Sequence, residues 1–273
     1  MRRLTLPLVI LACVAIAALL AWLALNSASF GDRRPRDDAP TTRAEAAVTH
    51  ELPPFKRMEV AGAAEVTLVQ GTAESIAITP PARRTSRIRA EVRGDTLYIE
   101  AGDSSRWWDW LLGGGSGARP GQIIVTFKDL EAIAAAGSVK LTAAEIKVPE
   151  LKIAGAGGTA LKIDNLQCGQ LKLSGAGGLK AEVSGRVTDQ TITIAGAGEY
   201  RGGKLVSQNA TVSVAGAGQV IINAEKTLTA TISGAGTVDY IGDPKVTERV
   251  SGVGRVRRRD SADAGYPRFA VAQ

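Results

Sequence analysis

Six acidic residues in the second half of the chain, Asp164, Glu182, Asp189, Glu199, Glu225 and Asp239, are the side chains best suited to acid–base or cation chemistry. Glycoside cleavage needs two carboxyl groups facing one bond, and a calcium site needs several oxygen ligands around one ion. On a repeating scaffold the acids would have to recur at matching positions, and these six do not. Each therefore reads as a solvated outward residue. The single histidine, His50, stands just ahead of Pro53-Pro54, and the two cysteines, Cys13 and Cys168, fall in different regions. That arrangement implies no His/Cys metal set, no Cys–His nucleophile and no disulfide. Cys168 reads as a small packed side chain. No catalytic residue, cofactor site or metal site emerges.

Paired glycines suggest a different chemistry. In the second half of the chain Gly-x-Gly occurs six times, at Gly155-Ala156-Gly157, Gly175-Ala176-Gly177, Gly196-Ala197-Gly198, Gly216-Ala217-Gly218, Gly234-Ala235-Gly236 and Gly252-Val253-Gly254. A glycine loop cradles phosphate when a strand leads into it and a helix leads out, and a calcium β-roll needs aspartates in a nonapeptide. Here no helical pattern follows, and the aspartates are missing. The first glycines are separated by 20, 21, 20, 18 and 18 residues, a period that signals stacked repeats. Glycine suits the corners of such a stack because it reaches positive φ and leaves room where backbones approach closely.

The segments before the glycines alternate, as in Leu151-Lys152-Ile153, Leu171-Lys172-Leu173, Ile192-Thr193-Ile194 and Val212-Ser213-Val214. A period of two with β-branched enrichment makes each a short strand with one apolar face. Second alternations follow the glycines, as in Leu161-Lys162-Ile163. Two or three short strands plus corners fill one coil of a parallel β-helix, with coils of about 18–21 residues. Ala135-Ala136-Gly137 is a degenerate earlier copy, and Met58–Leu68 carries the pattern once more. Between them Arg93-Gly94-Asp95 turns Ile88–Val92 into Leu97–Ile99, so residues 54–130 form a less regular N-terminal cap on regular coils at 131–255.

One segment breaks the repeat. Three of the chain's four tryptophans fall at Trp107, Trp108 and Trp110, followed by Leu111 and Leu112 and flanked by glycines. Either this segment covers an open end or seam of the stack, or it forms an exposed patch for a sugar, a protein or a membrane interface.

At the N-terminus Arg2-Arg3 precede an uncharged run from Leu4 to Leu25. Twenty-two residues at about 1.5 Å each cover about 33 Å, enough for a bilayer core. Residues 1–25 are therefore a signal anchor, or alternatively a signal peptide cleaved near Ser27-Ala28-Ser29, and residues 26–53 a disordered tether. The net charge of +6 does not form a basic stripe, because residues 255–273 alone hold five Arg against two Asp. That distribution argues against nucleic acid. Charge on a last coil, followed by the basic tail at 256–273, discourages edge-to-edge pairing.

The opening Phe55-x-x-Met58-Glu59-Val60-Ala61-Gly62, the Leu130–Val139 segment and the serial Gly-Ala-Gly strands resemble the head GIN domain family of auto-transporter adhesins, over roughly residues 54–255. The resemblance implies a parallel β-helix on an exported, often membrane-tethered bacterial protein, and no catalytic residues to carry over. The combined expectation is an all-β, non-enzymatic binding or adhesin-like module, anchored in the inner membrane through residues 4–25 with a periplasmic or cell-surface domain. Its partners would be a glycan or an envelope protein, with self-association open. The competing classes are a structural envelope component and a polysaccharide-active enzyme.

Overall fold

A computed structural model describes residues 48–79, 88–102 and 121–259, and every regular element in them is a strand. In chain order these are β1 (Val48–Glu51), β2 (Arg57–Gln70), β3 (Ser75–Thr79), β4 (Ile88–Arg93), β5 (Thr96–Ala101), β6 (Gly121–Phe127), β7 (Ala132–Gly234), β8 (Thr237–Ile241), β9 (Lys245–Gly252) and β10 (Arg255–Arg258). The all-β class follows from the alternation. β7 covers 103 consecutive residues, interrupted at positive-φ glycines such as Gly157 and Gly177, and buried and exposed positions largely alternate along it. Inward Leu151, Ile153, Leu171, Leu173, Ile192, Ile194, Val212 and Val214 are all at most 3% exposed.

The two halves pair differently. β2 lies parallel to the start of β7, with Met58 beside Ile133, Gly62 beside Gly137 and Val66 beside Leu141. β8 and β9 run parallel to the end of β7, and β10 parallel to β8. Upstream the arrangement is mixed: β2 also pairs parallel with β5 and β6, while β1–β3, β3–β6 and β4–β5 are antiparallel. β4 and β5 form a hairpin across Gly94, whose φ of +63° suits the tight turn.

Two boundaries differ from the sequence reading. Residues 48–51, placed there in the tether, form β1, and His50 pairs with Ile76. Backbone partners on β3 hold this stretch where composition alone suggested disorder. The ladder also continues into the basic tail, since β10 spans Arg255–Arg258. The expected membrane segment at 4–25, most of the expected tether, Trp107, Trp108, Trp110, Leu111, Leu112 and residues 260–273 lie outside the described residues. Among the described residues no helix is long and apolar enough to cross a membrane.

Candidate functional site

The glycine copies sort into two kinds of position. Gly62, Gly137, Gly157, Gly177, Gly196, Gly216, Gly234 and Gly252 all have φ between +92° and +125°. They stack as one column: a Cβ placed on Gly157 would lie 2.8 Å from the Gly137 carbonyl oxygen, on Gly177 2.9 Å from that of Gly157, and on Gly216 2.5 Å from that of Gly196. No side chain fits there, and the φ values independently disfavour one. Layer-to-layer hydrogen bonds run beside the column, from Ala235 N to Gly216 O at 2.9 Å and from Val253 N to Gly234 O at 3.0 Å.

From Gly137 onward the column steps by 20, 20, 19, 20, 18 and 18 residues. This corrects the spacing read from first glycines, which contained a step of 21. In the first two copies the second glycine occupies the column, and in the last four the first glycine does. The remaining glycines do a separate job. A Cβ on Gly155 or Gly175 would meet Thr159 or Leu179 at 2.8 and 2.7 Å, whereas one on Gly198 or Gly218 would meet Ile194 at 2.8 Å or Val214 at 3.0 Å. Gly236 and Gly254 likewise face Ile232. Each thus gives up its inward volume to a neighbour across the column.

The six acids are not gathered into a site. Asp164 pairs with Lys162 at 3.3 Å, Glu199 with Arg201 at 2.6 Å, and Asp189 accepts from Asn209 Nδ2 at 2.9 Å. Asp239, fully buried, accepts from Arg257 and lies 3.4 Å from Arg259 Nε. Glu182 and Glu225 stand exposed. Among the described residues no three His, Cys, Asp or Glu side chains converge as a metal site.

A buried polar network lies inside the strands. Tyr200 Oη donates to Gln190 Oε1 at 3.1 Å, Gln190 Nε2 donates to Ser207 Oγ at 2.6 Å, and Ser207 Oγ donates to the Asn223 carbonyl at 2.7 Å. Gly202 makes room for the Tyr200 ring. The sequence reading missed this cluster, although carrying the Ile194–Ile192 alternation one step back puts Gln190 inward. Burial raises the Tyr200 hydroxyl far above its ordinary pKa, the Cys168 thiol adding to the shift, so it stays protonated and donates. The Cys168 thiol is itself pushed up to about 12 by burial, which keeps it protonated and unreactive near neutrality.

Two open clefts mark the outer surface. One, of about 700 Å³, has a floor of Gly158, Gly178, Gly198 and Gly218 with Lys180 and Glu199 along it. The other, of about 590 Å³, is polar: Asn165, Gln167, Arg186, Thr188 and Gln208 line it, with the buried Ser207 hydroxyl beneath. Arg186 is exposed and has no ion pair among the described residues. This second cleft collects hydrogen-bond donors and acceptors from successive layers, which suits a polar ligand lying along the ladder.

A family model described as "Putative auto-transporter adhesin, head GIN domain" matches residues 54–244. No curated protein matches the sequence. Among solved structures, a putative adhesin from Bacteroides fragilis NCTC 9343 superposes with a TM-score of 0.69 at 20% identity, covering 78% of this chain and 96% of that one. A putative lipid binding protein from Parabacteroides distasonis ATCC 8503 gives 0.61 at 20% identity, with coverages of 78% and 96%. A putative adhesin from Parabacteroides merdae ATCC 43184 gives 0.56 at 18% identity, with coverages of 78% and 95%. At these identities the likeness is one of fold.

Proposed function

The chain belongs to the head GIN domain family of putative auto-transporter adhesins, and on that premise we propose that it is an exported, membrane-tethered binding module of the cell envelope rather than an enzyme. Its ladder is a parallel β-solenoid with coils of about 18–21 residues, an assignment supported by the parallel in-register pairing and the glycine column. Residues 4–25 hold it to the membrane and the tether extends it outward. Trp107, Trp108, Trp110, Leu111 and Leu112 are apolar side chains that suit a partner or membrane contact.

The observation that carries the binding reading is the polar cleft at Asn165, Gln167, Arg186, Thr188 and Gln208. Acids such as Asp164 and Glu199 are paired in place, whereas Arg186 has no ion pair among the described residues and stands in the cleft beside Gln167, with Asn165 already bonded to Glu145 and Gln208 to Lys226. Fold neighbours named for adhesion and for lipid binding share the scaffold, so the side chains of the faces must choose the ligand. The test is binding of the full chain to purified envelope polysaccharide and to envelope proteins. An Arg186→Ala/Gln208→Ala variant should lose at least tenfold in affinity while keeping its unfolding midpoint. Binding that is unchanged in that variant, or turnover of the polysaccharide, contradicts the proposal.

A further inference from the structure

The polar cleft owes its shape to a local slip between two layers. Gly177 lies over Gly157, twenty residues back, but Gly185 in the same layer lies over Leu166, only nineteen back. Gly185 has a φ of +127°, and its backbone approaches so closely that a Cβ there would overlap the Leu166 carbonyl oxygen. Only glycine permits both the conformation and the approach. A sheet irregularity of this kind re-aims the side chains beside it. The next residue, Arg186, is exposed and lines the cleft, while Val187 turns back into the core at 3% exposure.

The polar groups around Arg186 are already sorted into donors and acceptors. Lys226 Nζ donates to Gln208 Oε1 at 2.9 Å, which leaves Gln208 Nε2 to donate into the cleft. Asn165 Nδ2 donates to Glu145 Oε1 at 3.3 Å, which leaves Asn165 Oδ1 to accept. Gln167 and Thr188 are exposed and make no side-chain hydrogen bond among the described residues. Arg186 itself is a planar fork of N–H donors, a shape that takes a carboxylate through two parallel hydrogen bonds. The acid in the lining is Glu225, two layers beyond Arg186 when counted along Gly177, Gly196 and Gly216. At about 4.8 Å per layer the two charges stand about 10 Å apart along the ladder.

Resting on the reading of this cleft as the binding site, we propose that its ligand is a glycan with isolated carboxylates among neutral sugars, one carboxylate being held by Arg186. A single cation balances a single negative charge, whereas a phosphomonoester brings close to two at neutral pH. Glu225 repels a second anion two layers further on, so the sugars next to the bound carboxylate are uncharged. Their hydroxyls meet Gln167, Thr188 and Gln208 as successive layers present them. A protein segment fits less well, because protein interfaces centre on apolar anchors and no exposed apolar side chain lines this cleft.

Titration of the full chain with a tetrasaccharide of alternating glucuronate and N-acetylglucosamine, and with its carboxyl methyl ester, tests the assignment. The parent should bind the acid at least tenfold more tightly than the ester. Arg186→Gln should bind both forms alike, at the parent's affinity for the ester and with an unchanged unfolding midpoint, since the side chain is exposed. Glu225→Gln should narrow the parent's preference for this tetrasaccharide over a fully carboxylated tetragalacturonate. Equal binding of acid and ester by the parent overturns the carboxylate while leaving the glycan reading intact. A preference for the acid that survives Arg186→Gln also overturns it, by placing the recognition elsewhere, as at Arg255–Arg258. So does stronger competition from glucose 6-phosphate than from glucuronate. A parent that binds neither form, yet holds an envelope protein that Arg186→Ala/Gln208→Ala releases, refutes the glycan and keeps the cleft as a protein site.

Discussion

In the copies at 155–157 and 175–177 the second glycine takes positive φ, and the first yields space to Thr159 or Leu179; in the four copies from 196 to 254 the first glycine takes positive φ, and the second yields space to Ile194, Val214 or Ile232. The tripeptide is the same, but its placement against the column has slipped by two residues. Two is the side-chain period of a strand, so the slip leaves the inward parity intact and only exchanges which flank carries the bulky residue. Within this repeat, the backbone position that tolerates no Cβ is fixed in space, and the large inward side chain is free to sit on either side of it.

Exchanging the flanks is the severest way to break that comparison. Gly175→Ile alone overpacks against Leu179 and should cost roughly 3 kcal/mol. Adding Leu179→Gly converts the second copy to the later pattern and should bring stability back to within about 1.5 kcal/mol of the parent, read by chemical unfolding. If the double variant is worse than the single, the two flanks are not interchangeable.

A smaller effect is expected where the later copies fill their interior with a polar group. Tyr200→Phe leaves Gln190 Oε1 without its donor and should cost about 1–2 kcal/mol. No loss would mean that the network does not stabilise this side of the column. The smallest effect has the opposite sign. Thr159, the early copies' counterpart of Gly198, buries an Oγ1 that has no hydrogen-bond partner. Thr159→Val removes that unpaired hydroxyl and should raise stability by up to about 1 kcal/mol, measured by the same unfolding experiment. A destabilised Thr159→Val variant would show that the hydroxyl is engaged.

Much of the scaffold could be read from the residues. Alternation such as Leu171-Lys172-Leu173 gave strands with one buried face, and the period near twenty gave layers, because both signals are local and repeat many times. The roles of the individual glycines could not be read this way. Gly155 and Gly157 are identical in type and two residues apart, and only contact between layers tells which one touches the carbonyl beneath. β1 at Val48–Glu51 was likewise hidden, since its partner β3 lies at Ser75–Thr79 and its own sequence includes His50 and Glu51. The polar cleft draws Asn165, Arg186 and Gln208 from separate layers, so no contiguous motif announces it.

An alanine scan of all twelve repeat glycines, read as unfolding free energy, tests the stacked column most directly. Substitutions at Gly157, Gly177, Gly196, Gly216, Gly234 and Gly252 should each cost roughly 3 kcal/mol, since positive φ and a carbonyl in the layer beneath both oppose a Cβ. Those at Gly155, Gly175, Gly198, Gly218, Gly236 and Gly254 should cost roughly 1 kcal/mol, because the atoms met belong mostly to side chains that can shift. If the heavy losses instead follow the first glycine of every copy, so that Gly155 and Gly175 suffer as much as Gly196, the column is wrongly placed.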